Sequence, residues 1–198
     1  MYRRVAGLFI LATFAFVLAG CASEPTAEVS AAEQAKSQAS AAEAEKYAPD
    51  DFQKAQTTLD EAQTALKAEN DKYAMFRDYA PVKTKLAQAT QEFEAAAQAA
   101  QTKKEEVRQQ AEQGLTEAEQ ALASAQTALE KAPKGKGTRA DLEAMKADLE
   151  AASQGLDSAR EQLKAGNYLE AQSQIEAAKT KADSVSSQVA EAIKARRR

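Results

Sequence analysis

Few residues in this 198-residue sequence carry side chains suited to covalent or acid–base chemistry. Cys21 is the only cysteine, and there is no histidine. A thiol becomes a strong nucleophile once ionised, and Cys21 is the one residue that carries a thiol. An intrachain disulfide needs a second cysteine and is excluded. Without histidine, Ser–His and Cys–His nucleophile pairs and His-based metal sites are excluded too. Carboxylates are abundant and often adjacent, as in Glu105-Glu106, but solvated helix faces generate such pairs. No loop has the ligand spacing of an EF-hand. Gly135-Lys136-Gly137 lacks the preceding strand and the spacing of a phosphate-binding loop. The expectation is a protein that is not an enzyme, with no catalytic residues and no metal.

The segment before Cys21 gives the thiol its setting. Arg3 and Arg4 form a positive head, and Val5 to Ala19 is a fifteen-residue apolar run. A membrane span needs about 20 residues, whereas this length suits the apolar core of a secretory signal peptide. The run ends in Leu18-Ala19-Gly20-Cys21. This resembles the lipobox of bacterial lipoproteins. The resemblance implies cleavage between Gly20 and Cys21, a diacylglycerol on the Cys21 thiol and an N-acyl chain on the new amino group. No other cofactor is expected. One acyl chain binds a bilayer only marginally, while two or three attach lastingly. Ala22 and Ser23, not Asp, follow the cysteine. In bacteria with two membranes, lipoproteins of this type imply the outer membrane, inner leaflet, with the body facing the periplasm; the inner membrane is the less favoured site.

The rest of the chain must fold around that anchor. Alanine accounts for 48 residues, and Ala, Glu, Lys, Gln and Leu dominate, as in long helices and coiled coils. Net charge is −4; without residues 1–20, 24 basic residues face 30 acidic ones. That balance does not suit nucleic acid.

Ala22 to Thr26 reads as a polar tether, with Thr26 a candidate helix cap. A first helix is expected over Ala27–Ala48, with Val29, Ala32, Ala35, Ala39, Ala42 and Tyr47 as a thin apolar stripe. Pro49 breaks it, and Asp50 or Asp51 can cap the second helix. Phe52, Leu59, Leu66 and Tyr73 then recur every seven residues, with Ala55 and Ala62 between them. This is a heptad seam of one large residue and one alanine. Pro81 fits the first turn of a third helix running to about Lys131. Its stripe includes Val82, Leu86, Phe93, Ala100, Val107, Ala111, Ala118, Ala125 and Leu129. Lys103 takes a seam position and Gly114 is a poor helix former, so a bend or break is expected within Gln101–Gly114. Residues 133–137 are the unambiguous loop. Thr138 is a candidate cap for a fourth helix carrying Leu142, Leu149, Leu156 and Leu163, and Gly166-Asn167 should end it. A fifth helix carries Ile175, Ala182 and Val189. Leu66–Asn70 (LKAEN) echoes Leu163–Asn167 (LKAGN).

The expected fold is all-α: an elongated antiparallel helical bundle of coiled-coil hairpins with Leu/Ala seams. The expected organisation is a cleaved signal peptide (1–20), a lipidated cysteine and tether (21–26), a hairpin region with one long helix (27–132), a loop (133–137) and a second hairpin with a basic tail (138–198). Leu/Ala seams close equally well within one chain or between chains, so self-association stays open.

Two clusters are candidate partner contacts. Tyr73, Phe76 and Tyr79 are either the core of a helix corner or a binding patch for a glycan or protein. Arg196, Arg197 and Arg198 either complement the helix dipole or meet an anionic polymer or headgroup. The major outer-membrane lipoprotein of enteric bacteria, also lipidated and alanine-rich, joins peptidoglycan through a C-terminal lysine. The sequence ends here on Arg198, so the expected binding is non-covalent. Tyr47-Ala48-Pro49, followed by Lys54, Ala55, Leu59 and Ala62, resembles an uncharacterised family of helical bacterial envelope lipoproteins. That resemblance implies a helical envelope domain and no reaction. The expected role is a structural spacer or adaptor that associates with the membrane and with peptidoglycan or an envelope protein. The alternative is a binding or chaperone-like module holding envelope cargo in an interhelical groove.

Overall fold

The computed structural model describes residues 23–133 and 139–196. Cys21 and the Gly20–Cys21 bond, the loop after Pro133 with Thr138, and Arg197 and Arg198 lie outside the described residues. Among the described residues the chain forms α1 (Thr26–Ala41), α2 (Ala44–Tyr47), α3 (Pro49–Asn70), α4 (Ala80–Glu130), α5 (Arg139–Ala165) and α6 (Tyr168–Arg196), with a single 3₁₀ turn at Ala74–Phe76 and no strand. It is an all-α helical bundle.

The helix ends refine the sequence reading. The stretch expected as one helix over Ala27–Ala48 is interrupted. Glu43 adopts the left-handed conformation at φ 59°, which closes α1 and starts the single turn of α2. Thr26 lies inside the first turn; Pro25 occupies the cap position, and no side-chain cap bond forms. Likewise Asp50 and Asp51 make no cap bond. They sit in the first turn of α3 behind Pro49, where negative charge favours the helix dipole. Gln101–Gly114 is helical throughout, so of the bend or break expected there the break does not occur. Charged pairs one turn apart support that polar stretch: Lys103 with Glu106 at 3.1 Å, and Arg108 with Glu105 at 2.6 Å and Glu112 at 2.5 Å. Hydrogen bonds from Arg108 and Gln109 hold the Glu105 carboxyl at about 2.

Two compact units divide after Gln101, inside α4 and not at the Pro/Gly loop. The seam lapses there: Ala100 and Val107 are buried, but Lys103 between them is exposed.

In the first unit, α3 packs against both α1 and the first half of α4, which also meet each other through Glu28 and Lys83 at 3.3 Å. Gln63 bonds Glu33 at 2.8 Å, and Asn70 bonds Glu24 at 2.9 Å. On the other side, Lys85 pairs with Glu61 at 2.5 Å and Thr58 donates to Glu92 at 2.6 Å. The Phe52 and Phe93 rings meet edge to face at 5.4 Å. Residue numbers rise on one helix as they fall on its neighbour, so α3 runs opposite to both. Burial pushes the Glu92 carboxyl up, but hydrogen bonds from Thr58, Gln88 and Lys54 outweigh it and hold the group below its usual range.

In the second unit, the later half of α4 packs with α5 and α6. Ala152, Leu156 and Ala159 share a core with Ala171, Ile175 and Ala178. Farther from the α5–α6 turn, Met145 and Leu149 share one with Ala182, Val185 and Val189. The hairpin closes at Gly166, where φ is +81°. The Asn167 amide reaches the Gln162 carbonyl at 2.9 Å and the Gly166 amide that of Leu163 at 3.1 Å, a Schellman cap.

The seams follow the heptads. Ala55, Leu59 and Ala62 of α3, Leu86, Ala89, Phe93 and Ala96 of α4, and Ala178, Ala182 and Val185 of α6 are all buried. Tyr73 departs from its heptad: α3 ends at Asn70, and the ring is 82 % exposed. No Asp, Glu, Lys or Arg is buried among the described residues. Nor is any helix among them long and apolar enough to cross a membrane.

Gly114, read from sequence as a weak helix former, has a packing role. A Cβ there would lie 3.3 Å from Ile175 Cγ2, so the glycine lets α6 approach α4. At Gly155 a Cβ would meet Ala178 Cβ at 3.8 Å, an ordinary contact. Gly155→Ala should therefore raise stability by about 0.5–1 kcal/mol through helix propensity. Gly166→Ala, forced into a left-handed conformation, should lower it by about 1–2 kcal/mol. Urea unfolding midpoints at unchanged slope check both signs.

Candidate functional site

Residues 71–79, between α3 and α4, contain the densest group of aromatic side chains in the described chain. The corner is built on Asn70, the last residue of α3. Its carbonyl accepts from Arg77 Nη2 at 2.8 Å, its side-chain oxygen accepts from the Tyr79 hydroxyl, and its side-chain amide donates to Glu24 at 2.9 Å. Arg77 Nε also reaches the Lys72 carbonyl at 3.0 Å. Glu69 accepts from the Asp78 amide at 2.9 Å and from Lys72 Nζ at 2.6 Å. Those two bonds, with Lys72 the stronger, hold the Glu69 carboxyl below the usual range. Asp78 Oδ1 takes the Ala80 amide at 3.0 Å at the start of α4.

This frame separates the residues that the sequence groups together. Tyr79 is 3 % exposed and belongs to the core. Tyr73, Met75 and Phe76 are 82, 84 and 67 % exposed, carried outward on the 3₁₀ turn. A tyrosine with one polar tip and one apolar body suits a buried corner when its hydroxyl finds a partner, and Asn70 supplies it. The residues that make the corner, Glu24, Asn70 and Arg77, were not singled out from sequence. Asn70 stood out only as the last residue of the Leu66–Asn70 echo, and nothing local connects Glu24 to a residue 46 positions later.

The start of the described chain lies in the same corner. Pro25 is buried, and the Thr26 amide bonds the Glu24 carbonyl at 2.8 Å. The stretch expected as a tether is thus fixed to the helices from Glu24 onward.

The other candidates lie elsewhere. Arg196 is exposed in the last turn of α6 with Lys194, where positive charge complements the helix dipole. Cys21, Arg197 and Arg198 lie outside the described residues. In the Tyr-Ala-Pro motif, Tyr47 and Ala48 are buried at the α2–α3 corner and Pro49 opens α3. Ala55, Leu59 and Ala62 are seam residues, and exposed Lys54 pairs with Glu92 at 3.2 Å. The motif therefore encodes a corner and a seam. Among the described residues no group of three or more His, Cys, Asp or Glu side chains is placed to hold a metal ion.

The second unit has a groove of about 760 Å³ between the end of α4 and the start of α5. Leu129, Leu142 and Leu149 form its floor, and Glu130, Arg139 and Lys146 stand at its rim.

Comparison with known proteins finds no matching family model, no matching curated protein and no matching solved structure.

Tyr79→Phe should cost about 1 kcal/mol, because it strips a hydrogen bond from Asn70 within the corner. Phe76→Ser, at an exposed site, should stay within about 0.5 kcal/mol of the parent chain. Paired thermal or urea melts compare the two. Equal losses would mean that the outward ring is packed as core.

Proposed function

We propose that this chain is a lipid-anchored periplasmic lipoprotein that works without catalysis, as a spacer or adaptor in the bacterial envelope. The observation that carries the reading is the Leu18-Ala19-Gly20-Cys21 sequence at the end of an apolar run, three residues before Glu24, whose side chain is bonded to the helical body at Asn70. Acylation of Cys21 would hold that body close to a membrane, with the outer membrane's inner leaflet the favoured site. The described body is in keeping with a structural role. Its charges are all outside, its interior is apolar, and its exposed cations and carboxylates offer polar contact to peptidoglycan or to an envelope protein.

Mass spectrometry of the chain purified from bacterial membranes tests the anchor. The expected product begins at Cys21 and carries diacylglyceryl and N-acyl groups. Cys21→Ser should remain an unprocessed precursor that lacks them. Processing of that variant at the same bond would remove the lipoprotein reading. Crosslinking from exposed positions of α4 and α6 in the acylated chain then tests the adaptor role. Adducts to peptidoglycan or to one envelope protein are expected; adducts only to the chain itself would replace it with a self-assembling structural protein.

The groove over Leu129, Leu142 and Leu149 favours a second reading, a cargo-binding module for apolar ligands. It predicts that an environment-sensitive apolar dye brightens on the chain and that Leu142→Glu abolishes the signal without unfolding. A dye signal unchanged by Leu142→Glu would exclude the groove.

A further inference from the structure

We infer that the Tyr73–Phe76 turn is a second membrane contact, seating the first unit on the same bilayer that holds the acyl chains of Cys21. The inference rests on the lipoprotein reading for the anchor and on the geometry of the corner for the contact.

Cys21 precedes Glu24 by three residues, which span about 10 Å at full extension. Glu24 is bonded to Asn70 at 2.9 Å, and Pro25 behind it is buried. An acylated Cys21 sits at the headgroup layer, so Glu24, and with it the end of α3 at Asn70, is confined to about that reach from the layer. Asn70 also binds Arg77 and Tyr79, the far side of the 71–79 loop. The anchor point and the projecting turn are therefore the same end of the unit.

That turn carries what an interface takes up. Tyr73, Met75 and Phe76 are the large hydrophobic residues left exposed among the described residues, and they fall within four positions. Aromatic side chains favour the headgroup level, where the ring meets acyl chains and the polar tip stays wet. The flanking charges, Asp71, Lys72, Arg77 and Asp78, cancel. The contact is thus apolar and needs no anionic lipid. The frame of hydrogen bonds from Arg77, Tyr79 and the Asp78 amide holds the turn out in advance, so little ordering is needed on contact.

The test uses the full-length acylated chain carrying Met75→Cys, labelled on the introduced thiol with a polarity-sensitive fluorophore. The Cys21 sulfur is then in thioether linkage and does not react. The chain is placed on phosphatidylcholine vesicles with and without a nitroxide quencher on the acyl chains. Asp51→Cys is the control, an exposed site about 28 Å up α3 at 1.5 Å per residue. The expected result is loss of most of the fluorescence at position 75 and none at position 51. Adding Tyr73→Ser and Phe76→Ser should abolish the quenching while the thermal melt is unchanged. An unquenched label at 75 on a vesicle-bound chain of acylated mass would overturn the contact and leave the anchor standing. A blue shift that depends on protein concentration, without quenching, would assign the turn to a second copy and overturn it as well. Quenching at both positions would mean that the body lies flat, which also refutes a tip contact. A mass without acyl groups and no vesicle binding would sink the anchor reading, and this proposal with it.

Discussion

The fold depends on how closely alanines let its helices approach. At the seams the small residue is often more completely covered than the large one. Ala55 and Ala62 are fully buried, while Phe52 and Leu66 in the same heptads are half-exposed. Ala118 and Ala125 are fully buried, and Leu115, Leu122 and Leu129 flank them. Small side chains at the contact bring helix axes to the short end of the usual 8–10 Å range. The leucines then cover the sides of the seam. Each alanine removes little area from water, so the apolar gain of roughly 25 cal/mol per Å² accumulates over many turns. Gly114 extends the same logic, because the Ile175 methyl group occupies the space a side chain would need.

That constraint explains what the sequence made legible. A period of seven with alanine at alternate seam positions marks buried faces directly, and α3, α4, α5 and α6 follow it. The same period carries no information about where a helix stops. Tyr73 continues the heptad of Leu59 and Leu66, yet α3 has ended three residues before it. The break at Glu43 was hidden for a different reason. A left-handed residue is signalled by Gly or Asn, and a glutamate there carries no such mark. In Gln101–Gly114 the missing seam was legible, but it weakens packing and not the helix, which residues of good propensity and their ion pairs sustain. The contact units accordingly divide where the seam lapses, within a helix.

The candidate site was legible only as a composition. Tyr73, Phe76 and Tyr79 stand together in sequence, and whether each faces in or out depends on Asn70, Glu24 and Arg77. The decisive partners are polar, and one is distant in the chain. Hydrophobic periodicity does not see such partners. The Tyr-Ala-Pro motif shows the converse. Its residues are readable because they are packing residues, and burial of Tyr47, Ala55, Leu59 and Ala62 accounts for them without any chemistry.

Asn70 unites the two findings. As the final residue of α3 it must satisfy a carbonyl that no longer has a helical partner, and Arg77 satisfies it from across the loop. Its side chain is bonded on both sides, to Glu24 before α1 and to Tyr79 before α4. Three chain segments therefore meet on one residue: the start of the described chain, the end of α3 and the return into α4. With its ends fixed there and at Glu69, the intervening turn has no route into the core, and its large side chains face outward. The exposure of Tyr73, Met75 and Phe76 thus follows from the same bonds that fasten the chain at Glu24. Whatever holds the segment before Glu24 also sets where that apolar turn is presented.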